Sequence, residues 1–533
     1  MGQTAGDVKS VQIYENGLFI SCEDENRLFS VLVEDKGKIV YAGDRVPDVY
    51  SGSRSRINLD GKCVVPAFGD THMHFESFSL FHSSLDIRAV RDFNELGDLI
   101  GTFCKNNPKE NIILGFGCSS HSVKEGILPD RTVLDKITTL PLMLVKYDGH
   151  ACVVNSSLMK QLPAIVLDDP GFDKHSGWLY QNAFYKGINS ITKKVSPLKV
   201  FANLIKGADF LLKQGIGFIH TTEGVGFPLD IDVDIMRIAA RGLPPSFRIY
   251  FQTMEIKKAL RRKLPRIGGC FATALDGCFG SEDAALSIPY NNNQNNKGIL
   301  FYSQQQVDEF VREANRAGLQ VSLHAIGDAA VEQAITAYEK ALRDFPRTDH
   351  RHIIIHADLI PVPLLERAAK IGLHFAVQTP FLYWEQEPME YICNILGHRA
   401  ENLIPLKSMI DYGLTIANGS DAPCTLPNPV EGIFAACNHP NPDQRIPVLD
   451  ALRMHTNWAA RLSFDEGSRG TLTEGKNADF AILDKNPLDL PPEKLKEINV
   501  LELYLKGKSS AGQSQNPLTL FISAVKNKLA GID

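Results

Sequence analysis

At 533 residues the chain exceeds one ordinary core, so a large barrel with an accessory domain, or two to four domains, is expected. Its composition is globular, 44% hydrophobic and 22% charged, with a formal net charge of −6. That balance excludes the basic footprint of a nucleic-acid or anionic-membrane binder, and no stretch approaches the roughly 18 apolar residues of a membrane span.

In chain order, "MGQTAGDVKS" (1–10) has neither the apolar region of an export signal nor the Ser or Thr of a myristoylation site, Gly6 standing there instead. Residues 10–60 read as short strands punctuated by Gly, Asn and Asp. The run "KCVVPAFGD" (62–70) reads as a buried strand that delivers "THMH" at its end. Alternate residues of a strand share a face, so His72 and His74 present two imidazoles in one direction. Residues 76–210 exceed any ordinary connection and predict an inserted subdomain. Seven further strand candidates follow, at 215–222, 246–253, 268–277, 319–328, 351–358, 371–379 and 413–421, with helical segments such as 304–317 between them. Eight strand–helix units predict an α/β fold of the TIM-type (β/α)8 barrel. The polar run "NNNQNNKG" (291–298) reads as a mobile loop. Short strands resume at 470–487 and 498–508, and 518–533 reads as an amphipathic closing helix. The two ends are therefore assigned to one small β-sandwich domain, 1–62 with 467–533, around a barrel domain at 63–466. The ten cysteines are scattered without a CxxC pair, which predicts reduced thiols in a cytoplasmic protein.

Active sites of such barrels gather at the C-terminal ends of the strands. His72 and His74 follow the first strand, His324 ends the fifth, His356 the sixth and Asp421 the eighth. Four imidazoles and a carboxylate at corresponding places predict a divalent metal site in the manner of zinc or iron.

The motifs "PAFGDTHMH" (66–74), "YDGHACVVNSSLM" (147–159), "LHAIGDAAVEQAI" (323–335), "IIHADLI" (354–360), "GSDAPC" (419–424) and "GTLTEGKNADFAILDKNP" (470–487) resemble the amidohydrolase superfamily, and within it the formamide-deformylase-like branch. The resemblance implies that His72, His74, His324, His356 and Asp421 are metal ligands. It also makes Asp421 the group that takes a proton from the attacking water and returns it to the leaving nitrogen. His356 is expected either to complete the metal shell or, as a catalytic residue, to hydrogen-bond the water or substrate. His150 matches a position that faces substrate, the other reading being a locally bonded loop histidine.

The branch commonly carries a bridging carboxylated lysine on the strand before "DG", and that position falls here on Ala272. Ile355 and Gln181 stand where acids are frequent in the branch. One ion, of zinc, is therefore expected. Glu223 is either a compensating bridge or a solvated, helix-capping acid, and Cys270 either a ligand sharing the face of Ala272 or a core thiol. His220 is ambiguous in the same way, and Asp328 is expected to orient or cap. The expected activity is hydrolysis of an amide or formamide-type C–N bond. The alternatives are a single-metal deaminase of a heterocycle and a non-catalytic ligand-binding relative. The partner expected is a small-molecule substrate, with no nucleic acid or membrane, and the chain is compatible with a homodimer. Residues 116–126, Trp178 and 380–391, with Tyr383 and Trp384, are expected to line the pocket.

Overall fold

The computed structural model describes residues 11–53, 55–511 and 515–529. The N-terminal reading over 1–10 and the last turn of the closing helix, 530–533, lie outside them. Eight parallel strands form the central sheet: β1 (Phe68–Met73), β2 (Ile216–Glu223), β3 (Ser246–Phe251), β4 (Arg266–Ala274), β5 (Gln320–Ala325), β6 (Ile353–His356), β7 (His374–Val377) and β8 (Thr415–Asn418). They pair in chain order from β1 to β8. The barrel closes where Asp421 N donates to His72 O at 2.8 Å and Ser420 N donates to Asp70 Oδ1 at 3.1 Å. Gly419 makes this approach possible, because a Cβ there would lie 2.5 Å from His72 N. Apolar side chains such as Phe218, Ile353, Ile355 and Ala417 pack inside the barrel. A larger cluster joins strands to the surrounding helices.

The run 62–70 is two strands, not one. Cys63–Pro66 belongs to the sheet built from the chain ends, and β1 begins at Phe68. That end sheet is a single eight-stranded unit in which Cys63–Pro66 joins Gln12–Ile20 to Phe480–Leu483. The two sides of the chain thus share one hydrogen-bonded ladder, with Tyr14 packed edge to face on the stacked pair Phe480 and Tyr504. Helix Pro517–Leu529 closes the described chain and buries Leu520 and Ala524.

Between β1 and β2 a five-stranded sheet (Leu85–Asp86, Ile113–Cys118, Leu142–Lys146, Ala151–Val154 and Trp178–Tyr180) forms the insertion, with apolar clusters on both faces. Its last stretch departs from the expected boundary. Helix Pro197–Lys213 packs its Val200, Leu204 and Leu211 into the barrel's own core. The loop 291–298 is bonded in place, Asn291 N donating to Ile395 O and Asn296 Nδ2 to Glu282 O. Among the described residues no helix is long and apolar enough to cross a membrane.

Candidate metal centre

β1 ends at Met73, and His74, the cap of the helix that follows, still turns its ring to the same point as His72. His72 Nε2 lies 3.0 Å and His74 Nε2 3.4 Å from Asp421 Oδ1. The ring of His74 is set by Thr222 at the end of β2: the Thr222 hydroxyl donates to Met73 O, so its oxygen, 3.0 Å from His74 Nδ1, accepts the ring proton. That tautomer leaves the Nε2 lone pair free for a cation. Asp70, buried beneath, accepts from His72 N and Ser420 N and so ties β1 to the turn after β8. Asp421 itself sits at φ 53° and His356 at φ 71°, left-handed conformations held at two of the four strand ends that carry candidate ligands.

On the other side of the mouth the rings of His324 and His356 lie 4.6 Å apart at 79°. Asp276 stands behind His324, its Oδ1 lying 3.5 Å from Nδ1 without a formed hydrogen bond. Its carboxyl accepts from the backbone N–H groups of Ala285, Ile326 and Gly327. All five expected ligands therefore converge at the C-terminal end of the barrel.

A sixth donor joins them. The ladder between β4 and β5 runs Gly269 to Leu323 and then Ala274 to His324, so residues 270–273 bulge out of the sheet. Gly268 and Gly269, at φ 102° and 134°, have no room for a Cβ: at 268 it would strike Ser322 O, at 269 the Thr222 side chain. The bulge turns Cys270 inward, with Sγ 3.2 Å from His72 Nε2 and 3.8 Å from His356 Nε2. Ligand atoms of His72, His74, Cys270 and Asp421 lie within 4.8 Å of one another, as do those of Cys270, His324 and His356. Cys270 is buried among apolar residues of the barrel interior with its sulfur against two imidazoles, and the carbonyl of Ala272 accepts from the Tyr302 hydroxyl.

Burial lowers the pKa of His72, pushes that of His356 down to about 3 and takes that of His324 well below its usual value. All three are neutral, the form that binds metal. Burial alone would raise Asp421, but the His72 and His74 imidazoles hold it well below the usual carboxylate range. Asp421 Oδ1 has no hydrogen-bond donor in line, nor does Nδ1 of His324 or of His356 have a partner. A buried carboxylate oxygen within 3.4 Å of two imidazole nitrogens needs a proton or a cation between them, and the donor types present fit a divalent cation.

The other sequence candidates separate. Glu223 is buried and accepts from Thr221 Oγ1 and from Glu76 N, capping helix Phe75–His82 outside the donor set. His220 lies between Phe218 and Tyr250, away from it. Asp328 begins helix Asp328–Asp344 and holds Ser287 N. Ile355 is buried in the barrel interior, and Gln181 begins helix Gln181–Thr192.

A cavity opens over the donors. The hairpin Leu142–Val154 of the insertion lowers its turn onto this mouth, so Asp148 and His150 line the cavity. Lys146 pins the turn by donating to Asp148 Oδ2 at 2.6 Å and to Ser281 Oγ at 2.8 Å. Aromatic rings line the same cavity: Trp384 stacks on Phe381 at 4.6 Å, while Phe271, raised by the bulge, covers His74 at 4.7 Å. Tyr383 instead points to Asn438, and Trp178 is buried within the insertion, its Nε1 donating to Pro129 O. Sequence reasoning misses Asp276 and Asp358. Asp358 lines the cavity with an unpartnered Oδ1, and its position two residues after His356 is the signal that could have found it.

Residues 56–511 match the amidohydrolase family. The chain is 26% identical to the YtcJ protein of Bacillus subtilis (strain 168), named as an amidohydrolase, over 92% of this chain and 97% of that protein. It is 23% identical to the N-substituted formamide deformylase of Arthrobacter pascens, over 85% and 89%. Its fold is similar to an uncharacterized metal-dependent hydrolase from Pyrococcus furiosus, with a TM-score of 0.73 and 25% identity over 90% of this chain and 100% of that one. With a family match over most of its length and a divalent-metal donor set at the barrel mouth, the chain belongs to the amidohydrolase family and is a metal-dependent hydrolase.

Proposed function

We propose that the enzyme hydrolyses an amide or formamide-type C–N bond in a small molecule, with zinc as its metal. The observation that carries this reading is the unpartnered Asp421 Oδ1 facing His72 and His74 beneath an open cavity. Imidazole, carboxylate and thiol donors suit zinc. A divalent cation, when bound, lowers the pKa of water toward neutrality and polarises a carbonyl. His72, His74, Cys270, His324, His356 and Asp421 would hold it. Asp421, ionised across the working pH range, takes a proton from the attacking water and delivers it to the leaving nitrogen. Asp358 and His150 reach the cavity as polar groups that orient the substrate, and Phe271, Phe381 and Trp384 receive its apolar part. The formamide deformylase among the relatives supports the choice of bond. A cytoplasmic setting accords with ten free thiols.

The stacked Phe381–Trp384 pair gives a flat wall and favours one second reading, deamination of a heterocycle. Zinc-loaded protein assayed against N-formyl and N-acyl compounds and against amino-heterocycles separates the two. Release of a carboxylic acid or formate supports the proposal, and ammonia release from the heterocycles alone overturns it.

A further inference from the structure

Cys270 Sγ belongs to both groups of converging donors, the one built on β1 and the turn after β8 and the one built on β5 and β6. No other atom among the described residues does. A single tetrahedral ion is complete with His72, His74, Asp421 and Cys270. It would leave His324 and His356 as two neutral imidazoles on the far side of the same sulfur, with His356 Nε2 3.8 Å from it. Two cations held side by side need an anion between them to offset their repulsion. Ala272 offers none, and Glu223 is committed to Thr221 and Glu76. The glycine-enabled bulge presents the sulfur at that place instead.

We propose that Cys270 is a bridging ligand shared by two divalent cations, one on His72, His74 and Asp421 and the other on His324 and His356. This rests on the metal-dependent reading above and replaces the one-ion expectation, whose premise is the empty position at Ala272. On loading, the S–H proton leaves to solvent and two sulfur lone pairs bond the two cations. The sulfur is neither oxidised nor reduced.

The test is loading of the full-length protein with zinc or cobalt, followed by elemental analysis and absorption spectroscopy. About two cations per chain are expected, with a sulfur-to-cobalt charge-transfer band. Cys424 lines the same cavity, so C424A is the control and should keep both the band and the stoichiometry. C270A should lose the band and fall to about one cation per chain, with its circular dichroism unchanged. Should C270A not fold, wild type and C424A decide alone. A single cation in the wild type, a band absent from it, or a band lost in C424A overturns the bridge. Binding of no cation at all overturns the metal-dependent reading as well, so the two failures are distinguishable.

Discussion

Two sets of histidines in this molecule are equally buried and differ in everything else. At the barrel mouth His72, His74, His324 and His356 are at most 4% exposed; elsewhere His220, His350, His352 and His455 are buried to the same degree. Burial pushes His356 at the mouth and His220 below it to the same pKa of about 3. Neither solvent exclusion nor titration therefore distinguishes a ligand. Partners do. His352 is satisfied on both nitrogens, accepting from Val321 N at 3.1 Å and lying 3.1 Å from Asn315 Oδ1. His350 is bonded in the same way to Ile371 O and His352 N. The mouth imidazoles instead aim lone pairs at one another, at a carboxylate and at a sulfur. Convergence of unsatisfied donors marks the site, because such a cluster is costly without a cation and stable with one.

The largest effect should follow from Asp421→Asn. It removes the proton acceptor and one anionic ligand, so kcat is expected to fall by about 10³-fold or more while circular dichroism is unchanged. An active variant would break the distinction between the two sets. Next, Asp276→Asn loosens His324 without touching the donor cluster directly. Cation affinity, read by competition with a chelating dye, should fall by about 10–100-fold.

The contrasting substitution is His352→Ala. It strands Val321 N and Asn315 in the interior and should cost about 1–3 kcal/mol in urea unfolding. Cation stoichiometry and affinity are expected to stay at the wild-type level. Loss of metal in that variant would mean that burial, not convergence, defines the site.

The effect that is smallest at neutral pH, and grows only on acidification, is titration. His220 titrates near 3 in the folded chain and near 6.5 when unfolded, so the unfolded state binds the extra proton between those values. Its contribution is complete above about pH 6.5 and is lost at about 1.4 kcal/mol per pH unit as pH falls toward 3. Buried carboxyls such as Glu76, raised to about 8 by burial and by Asp232, slope the other way: their contribution is lost as pH rises through 8. The difference in metal-free stability between wild type and His220→Asn isolates the histidine. It should be flat above pH 7 and shift in favour of the variant below pH 6.

Much of the barrel and its rim is legible in the amino-acid order. Each of the eight barrel strands overlaps a segment picked out by apolar, β-branched character between turn signals. The five candidate ligands stand out because strand ends of a parallel barrel meet at one rim. The break between Cys63–Pro66 and β1 is hidden because two strands in one line read as a single apolar run. The place of Cys270 is hidden for a related reason. A regular pleat would put it on the face of Ala272, and the consecutive glycines before it are the sign of a bulge that such a pleat ignores.

The sequence by itself determined the element order, the barrel, the shared end sheet and the identity of five donors, since periodicity, turn chemistry and strand-end placement are local properties. Only the tertiary structure decided which buried histidines converge, that the hairpin at Asp148 and His150 roofs the site, and that a thiol stands at its centre. Those depend on a four-residue irregularity and on contacts between residues some 200 positions apart, and no spacing along the chain encodes either.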